Sequence, residues 1–297
     1  MNNQVKHIVL PETIQNILSD ILGKCRIDHL LEEDFWIAGG FPRIIHLCLN
    51  RSEIEVYNTL KSYFRHYADI DIFTSSKQKS LQAAESVNES FAKESYTRSY
   101  CHEGPFATNV QLNTSTFSNV SPFVYMQFIT EFVYSDIKET FENFDFSNVK
   151  FAINKRDNKY LLYYTEMSEY YNYANILNLE KIVSPFLASR IRKYTERYGL
   201  KFNNDTNNRK LISEYIHKLF SGNWGDVFKN CKFDSEIFIK AINSLVGLDE
   251  LDLCLFLGKF EHNIFTKSNS EYGIYACAKV TDWAAHELNK KYERQQC

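Results

Sequence analysis

The chain has 297 residues, an apolar content of 44% and a formal net charge of −3, which allows one large or two ordinary domains with a substantial core. Residues 1–150 carry 13 Lys and Arg against 19 Asp and Glu, whereas residues 151–297 carry 21 against 18, a bias that permits nucleotide handling without indicating nucleic acid. The seven cysteines are scattered without a C-x-x-C pair, which argues against a disulfide framework or a zinc motif and favours reduced thiols.

The first half of the chain alternates between helical and strand periodicity. In chain order, the pattern predicts a helix over 12–33, a buried strand at 35–38, a helix from 43 to 49, a strand at 69–73 and a helix over 77–93. Further strands are predicted at 108–112, 123–128 and 149–153, with a helix over 136–144.

From about residue 175 onward the pattern is helical throughout. The sequence therefore predicts an α+β fold. It consists of a mixed-sheet catalytic head with flanking helices over residues 1–160 and an α-helical neck and body over residues 161–297.

Two short motifs occur at predicted strand ends. Gly39 and Gly40 directly follow one strand, and Asp69 and Asp71 are one residue apart on the next. Because strand side chains alternate between faces, both carboxylates project to the same side. Two carboxylates this close repel each other unless a cation lies between them, and hard oxygen ligands suit Mg²⁺ or Mn²⁺. Since glycines let the backbone approach phosphates, the motifs predict a metal-dependent site for a nucleoside triphosphate.

Gly39-Gly40 followed by Asp69-Ile70-Asp71 resembles the signature of the DNA polymerase beta-like nucleotidyltransferase superfamily. Residues 38–43 are most similar to the tRNA nucleotidyltransferase and poly(A) polymerase branch, and to related phage and viral proteins. Two features depart from this pattern. The gap from Gly40 to Asp69 is longer than the usual spacing, and Ile44 stands where the tRNA-type enzymes place an acidic residue.

The Asp pair implies a two-metal reaction in which a nucleoside monophosphate passes from the triphosphate to an acceptor hydroxyl. The backbone of Gly39 and Gly40 would help to hold the β- and γ-phosphates. The leaving pyrophosphate would be stabilised by metal together with Arg43 or Lys77.

Members of the superfamily usually carry a third carboxylate on a central strand near the Asp pair, and the resemblance implies one here. The predicted strand 123–128 has no acidic residue in its middle. Asp145, between two phenylalanines, is the best-placed remaining acid for this catalytic role. The alternative is a turn residue at the end of a helix.

A basic stripe follows Ser184-Pro185, a pair that suits the start of a helix. Arg190, Lys193, Arg197 and Lys201 recur at spacings that place them on one helix face. Residues 189–202 also resemble the neck helix of tRNA nucleotidyltransferases, in which an Arg-rich helix recognises the incoming base. This resemblance implies that Arg190 and Lys193 bind nucleotide, whereas the alternative is a solvated basic face with Glu196 as counter-charge.

The favoured acceptor, by resemblance, is the 3′ end of a tRNA-like RNA. Two alternatives stay open: nucleotide transfer to a protein or small molecule by a toxin or modifying enzyme, and a non-catalytic protein that binds nucleotide or RNA. No apolar run approaches the roughly 18 to 20 residues that span a bilayer, so we expect no membrane partner. We predict a cytoplasmic protein, in the host cytoplasm if the chain is viral or from a phage.

Overall fold

A computed structural model of the chain describes residues 4–32, 34–65, 69–92, 97–104, 106–114, 123–184 and 186–221, together with 251, 254 and 255. By its internal contacts the chain divides into a first unit, Met1–Ala174, and a second unit, Asn175–Cys297. Among the described residues, no helix is long and apolar enough to cross a membrane.

The first unit is built on one mixed sheet, which confirms the predicted α+β architecture. Its described strands are β1 (Lys6–Val9), β2 (Phe35–Ala38), β3 (Asp69–Thr74), β4 (Thr97–Glu103), β5 (Ala107–Thr114), β6 (Phe123–Ile129), β7 (Phe151–Arg156) and β8 (Lys159–Tyr164). They lie in the order β1-β8-β7-β2-β3-β6-β5-β4. Strands β3 and β6 are parallel, and the other neighbouring pairs are antiparallel. The boundary predicted after residue 160 falls inside β8.

Helices flank this sheet. They are α1 (Glu12–Lys24), α2 (Gly40–Leu47), α3 (Glu53–Arg65), α4 (Lys77–Ala92), α5 (Ile137–Glu142) and α6 (Glu166–Tyr173). The helix predicted over 12–33 ends at Lys24, because Arg26 adopts φ +58 and residues Asp28–Glu32 form a 3₁₀ turn instead. The predicted strand at 149–153 begins at Phe151, since residues Ser147–Val149 also form a 3₁₀ turn.

One face of the sheet changes from apolar to polar along β3. Phe73 packs with Trp36 of β2 and with Ile137 and Phe141 of α5 in a buried cluster. The residues that alternate with this face, Ile70 and Ile72, are 0% and 1% exposed, so β3 contributes to the core on its opposite face. Asp69 and Asp71, which share a face with Phe73, therefore lie where that face leaves the apolar cluster.

The second unit contains β9 (Ile176–Leu177), α7 (Leu187–Arg192), a π-helical turn (Lys193–Arg197), β10 (Lys201–Phe202) and α8 (Thr206–Ser221). The purely helical pattern predicted from residue 175 is wrong at one point, because β9 and β10 form a short parallel pair. The helical body predicted beyond residue 221 lies outside the described residues, apart from 251, 254 and 255.

Candidate functional site

A glycine turn joins β2 to α2. Gly39 has φ +96 and ψ −133, a conformation that is strained for any residue with a Cβ. Its N–H donates to the carbonyl of Phe151 at 2.9 Å. This hydrogen bond connects the turn to β7 and occupies the N–H of Gly39, which is therefore not available to a ligand. The N–H groups of a first helical turn have no acceptor within the helix, so those of Gly40 and Phe41 are placed to bind a phosphate.

The Asp pair lies directly beside this turn. The antiparallel register of β2 and β3, continued beyond Ile37 and Ile72, sets Ala38 opposite Asp71. A Cβ built on the next residue, Gly39, would lie 3.4 Å from Asp71 Oδ2. Asp69 and Asp71 are both half-buried. The structure thus brings together four of the predicted site residues, the two glycines and the two aspartates.

Tyr63 of α3 connects the two motifs. Its hydroxyl donates to the carbonyl of Asp69 at 3.0 Å, and a Cβ built on Gly40 would lie 3.2 Å from the same hydroxyl oxygen. Its ring also packs against Phe41, with centroids 5.9 Å apart. Tyr63 therefore fixes the position of Asp69 relative to the start of α2, a role that no sequence motif indicated.

An amide pair continues this face of the sheet beyond Asp71. Gln127 of β6 is in register with Asp71, and Asn109 of β5 is in register with Gln127. Gln127 Nε2 donates to Asn109 Oδ1 at 2.9 Å, and Asn109 Nδ2 donates to the carbonyl of Ala107 at 3.3 Å. The strand position next to Asp71 therefore carries an amide where the resemblance implied a carboxylate.

The Asp pair fits a divalent cation. Two carboxylates on one strand face, beside a turn that lacks side chains, match the one or two carboxylates that typically hold Mg²⁺ while water and phosphate complete its shell. Within the described ranges, no group of three or more His, Cys, Asp or Glu side chains is placed to hold a metal ion. The described carboxylate set is therefore Asp69 and Asp71.

Asp145 and Arg43 lie in the protein interior. Asp145 is fully buried in a bend that follows α5, and Arg43 of α2 is 3% exposed. The 3₁₀ turn after Asp145 contacts α2 and α6. The structure does not bring Asp145 into a cluster with the Asp pair, and its place after a helix end matches the alternative left open by the sequence. For Arg43, a phosphate contact stays a prediction.

Lys77 lies at the other end of β3. It begins α4 and forms an ion pair with Glu131, just beyond the end of β6. Three residues of strand, about 10 Å, separate Asp71 from Thr74, and Lys77 follows still further along the chain. The structure therefore does not bring Lys77 to the Asp pair.

Arg190 and Lys193 belong to the second unit, where both are half-buried. Arg190 lies on α7 and Lys193 begins the π-helical turn. The predicted stripe of four basic residues on one helix face is wrong, because Gly199, at φ +66, follows the end of the helix and Lys201 pairs with Ile176 in the β9–β10 sheet. Glu196 is indeed a local counter-charge, with its Oε2 2.7 Å from Arg192 Nε.

A buried histidine fixes α2 against α6. His46 is fully buried, and its Nδ1 lies 3.1 Å from Asn172 Nδ2, so Nδ1 accepts from the amide and Nε2 carries the proton. Burial, with a smaller contribution from the positive charge of Arg43, lowers the pKa of His46 to about 4. Its Nε2 lies 3.6 Å from Glu169 Oε1, which at neutral pH is a contact of the neutral imidazole and not an ion pair.

We expect this histidine to destabilise the fold in acid. In the unfolded chain the pKa of His46 is near 6.5, whereas in the folded protein it is about 4, so between these values only the unfolded chain takes up the proton. The contribution of the neutral histidine to stability is therefore fully present above pH 6.5 and is lost as the pH falls through this window. The loss should reach about 2–3 kcal/mol near pH ~4.5. Urea unfolding of wild type and His46→Gln across the window measures it, because glutamine can still accept from Asn172 but does not titrate. Equal pH slopes for the two proteins would contradict this assignment.

Two solved structures are weakly similar to this chain. One is a CCA-adding enzyme in complex with ATP, at 12% identity and a TM-score of 0.46, covering 94% of this chain and 70% of that one. The other is an apo form of a CCA-adding enzyme, at 14% identity and a TM-score of 0.40, covering 96% and 74%. Similarities this weak assign no activity, and no curated protein matches the chain.

A family model provides the stronger match. The model, described as Gabija anti-defense 2 family protein, matches residues 12–171. This range covers more than half of the chain and includes the Gly–Gly turn, the Asp pair and the amide pair. The chain belongs to the Gabija anti-defense 2 family.

Proposed function

We propose that this protein is a metal-dependent nucleotidyltransferase, which moves a nucleoside monophosphate from a nucleoside triphosphate to an acceptor hydroxyl and releases pyrophosphate. One observation carries the proposal: the Gly39–Gly40 turn abuts the Asp69–Asp71 pair on one face of the sheet. The N–H groups at the start of α2 suit phosphate oxygens. The paired carboxylates suit a divalent cation that also binds those phosphates.

Each residue of the site has a distinct part in this reaction. Asp69 and Asp71 would hold Mg²⁺ or Mn²⁺, which when bound neutralises phosphate charge and lowers the pKa of an acceptor hydroxyl. Gly40 and Phe41 would orient the phosphates through their N–H groups, and Tyr63 would keep Asp69 in place through its main-chain carbonyl. The acceptor oxygen would form a bond to the α-phosphorus as the bond to pyrophosphate breaks, and the proton of the acceptor hydroxyl would pass to solvent water.

We favour an RNA 3′ end as the acceptor. The similarity of residues 38–43 to the tRNA nucleotidyltransferase and poly(A) polymerase branch supports this choice, and the charge of residues 151–297 permits it. The family description supports a role against a Gabija defence, so we place the reaction in the cytoplasm of a host cell that carries this defence. Transfer to a protein or small molecule of that defence is the alternative.

A second candidate function is nucleotide binding without turnover. Gln127 next to Asp71 favours it, because an amide accepts a hydrogen bond but does not take up a proton as a carboxylate does. This candidate predicts a protein that binds a nucleoside triphosphate and a divalent cation without forming a labelled product.

Incorporation of label from each α-labelled nucleoside triphosphate, with Mg²⁺ or Mn²⁺, tests the proposal. Total RNA, a protein lysate of cells that carry Gabija, and a mixture without acceptor are compared, each with wild type and with Asp69→Ala/Asp71→Ala. We expect label in the RNA fraction from wild type alone. Label in the protein fraction would change the acceptor class, and no label with nucleotide binding retained would leave the binding function.

A further inference from the structure

We propose that Gln127 is the third oxygen donor of the Asp69–Asp71 site, a neutral amide that Asn109 holds in position. This inference rests on the proposed function, since it assigns a residue to that same site. The neighbours of Gln127 along β6, Met126 and Phe128, are both 0% exposed, whereas Gln127 is half-buried on the face that carries the aspartates.

Register places Gln127 beside Asp71. The two residues are direct partners in the parallel pairing of β3 and β6, and neighbouring strands lie about 5 Å apart. The side chain of Gln127 therefore borders the Asp pair on the side opposite to the Gly39 turn, which comes from β2.

Hydrogen bonds fix which way this amide points. The Nε2 of Gln127 donates to Asn109 on β5, and β5 lies on the far side of β6 from β3. Asn109 is itself fixed, because its Nδ2 donates to the carbonyl of Ala107 and a Cβ built on Gly104 would lie 3.1 Å from that nitrogen. Because the Nε2 of Gln127 is engaged by Asn109 on β5, Oε1 is the amide atom that we assign to the side of Asp71, its register partner on β3.

This arrangement gives the site two negative charges and three oxygen-bearing side chains. A neutral third donor binds a divalent cation more weakly than a carboxylate does, so the phosphates of the nucleotide must supply the missing charge. The site therefore binds the cation weakly by itself and more tightly with the nucleoside triphosphate, and Gln127 positions groups there without removing a proton.

Binding of Mn²⁺ in the absence of nucleotide, followed by electron paramagnetic resonance at low salt, tests the assignment. Gln127→Glu is compared with Gln111→Glu, a matched control with the same change of charge on the same face. Gln111 of β5 is in register with Tyr125, and so lies two strands, about 10 Å, from the strand of the Asp pair. We expect Gln127→Glu to tighten Mn²⁺ binding about tenfold and Gln111→Glu no more than about twofold, because attraction falls with distance and screening.

Equal effects of the two substitutions, or no effect of either, would overturn the assignment. Thermal unfolding of both variants shows whether each is folded at the temperature of the titration. A third variant, Gln127→Leu, removes the amide oxygen without adding charge, and we expect it to weaken Mn²⁺ binding. This titration requires no turnover. If Gln127→Glu binds Mn²⁺ more tightly but wild type transfers no label, the placement of Gln127 stands and the nucleotidyltransferase proposal is wrong.

Discussion

Asp71→Asn is expected to lower nucleotide transfer by at least about 10³-fold while leaving the protein as stable as wild type, or more so. A metal held by two carboxylates contributes several kcal/mol of transition-state stabilisation, and one carboxylate beside an amide does not retain it. Stability should not fall, because Asp69 and Asp71 share a face of β3, and removing one of two neighbouring like charges relieves their repulsion. Asparagine also keeps the shape of the side chain.

Single-turnover transfer of α-label and urea unfolding measure the two halves of this prediction. Asp20→Asn is the matched control, since Asp20 lies on α1 with its carboxylate 2.7 Å from Lys24 Nζ at the surface, where an ion pair contributes about 0.2–1 kcal/mol. We expect the control to transfer label within about twofold of wild type. If Asp71→Asn instead unfolds at clearly lower urea and transfers label normally, the Asp pair has a structural role only.

The strands that surround the site were the most predictable part of this chain. Strands β2 and β6 are mainly apolar runs, and β3 alternates aspartate with isoleucine before Phe73. The structure confirms each of the three within one residue. The reason is that these strands lie inside the sheet, where burial on the core face imposes a strong local pattern. Strand β1, at one edge of the sheet, has exposed residues at three of its four positions, and such a pattern gave no signal.

The contacts between motifs were less predictable, because they depend on register between strands that are far apart in the sequence. The sequence could not show that Gln127 lies beside Asp71 or that Tyr63 reaches Asp69. These contacts follow from the pairing of β3 with β6 and from the packing of α3, a helix that the periodicity did not reveal. Lys77 illustrates the converse. It is close to Asp71 in sequence, yet β3 carries the chain away from the site before α4 begins.

Burial was equally hidden from the sequence. Asp145 and Arg43 are charged residues, and such residues are usually exposed, so nothing in the sequence indicated that they are buried. The structure places both in the interior. Sequence patterns therefore located the Asp pair on β3 and the glycines at the start of α2, while only the tertiary structure showed that Asp145 and Arg43 are buried.

Gly39→Ala is expected to lower both stability and transfer. The substitution forces a residue with a Cβ into φ +96 and ψ −133, which costs about 1–3 kcal/mol. Any relaxation of this strain moves the turn relative to Asp71, whose Oδ2 would lie 3.4 Å from the new Cβ. Since misplacement of a reacting group by about 1 Å can cost about 10²-fold, we expect transfer to fall by about 10- to 100-fold.

Gly199→Ala separates backbone strain from the loss of phosphate positioning. Gly199 also has positive φ, +66, but a Cβ built there meets nothing within 4 Å, so we expect a loss of about 1–2 kcal/mol in unfolding free energy with transfer close to wild type. Urea unfolding and single-turnover transfer of both variants provide the comparison. If Gly39→Ala loses stability as Gly199→Ala does but still transfers label at the wild-type rate, then the glycine turn shapes the fold without binding the triphosphate. The phosphate site would then have to be sought elsewhere on the face that carries the Asp pair.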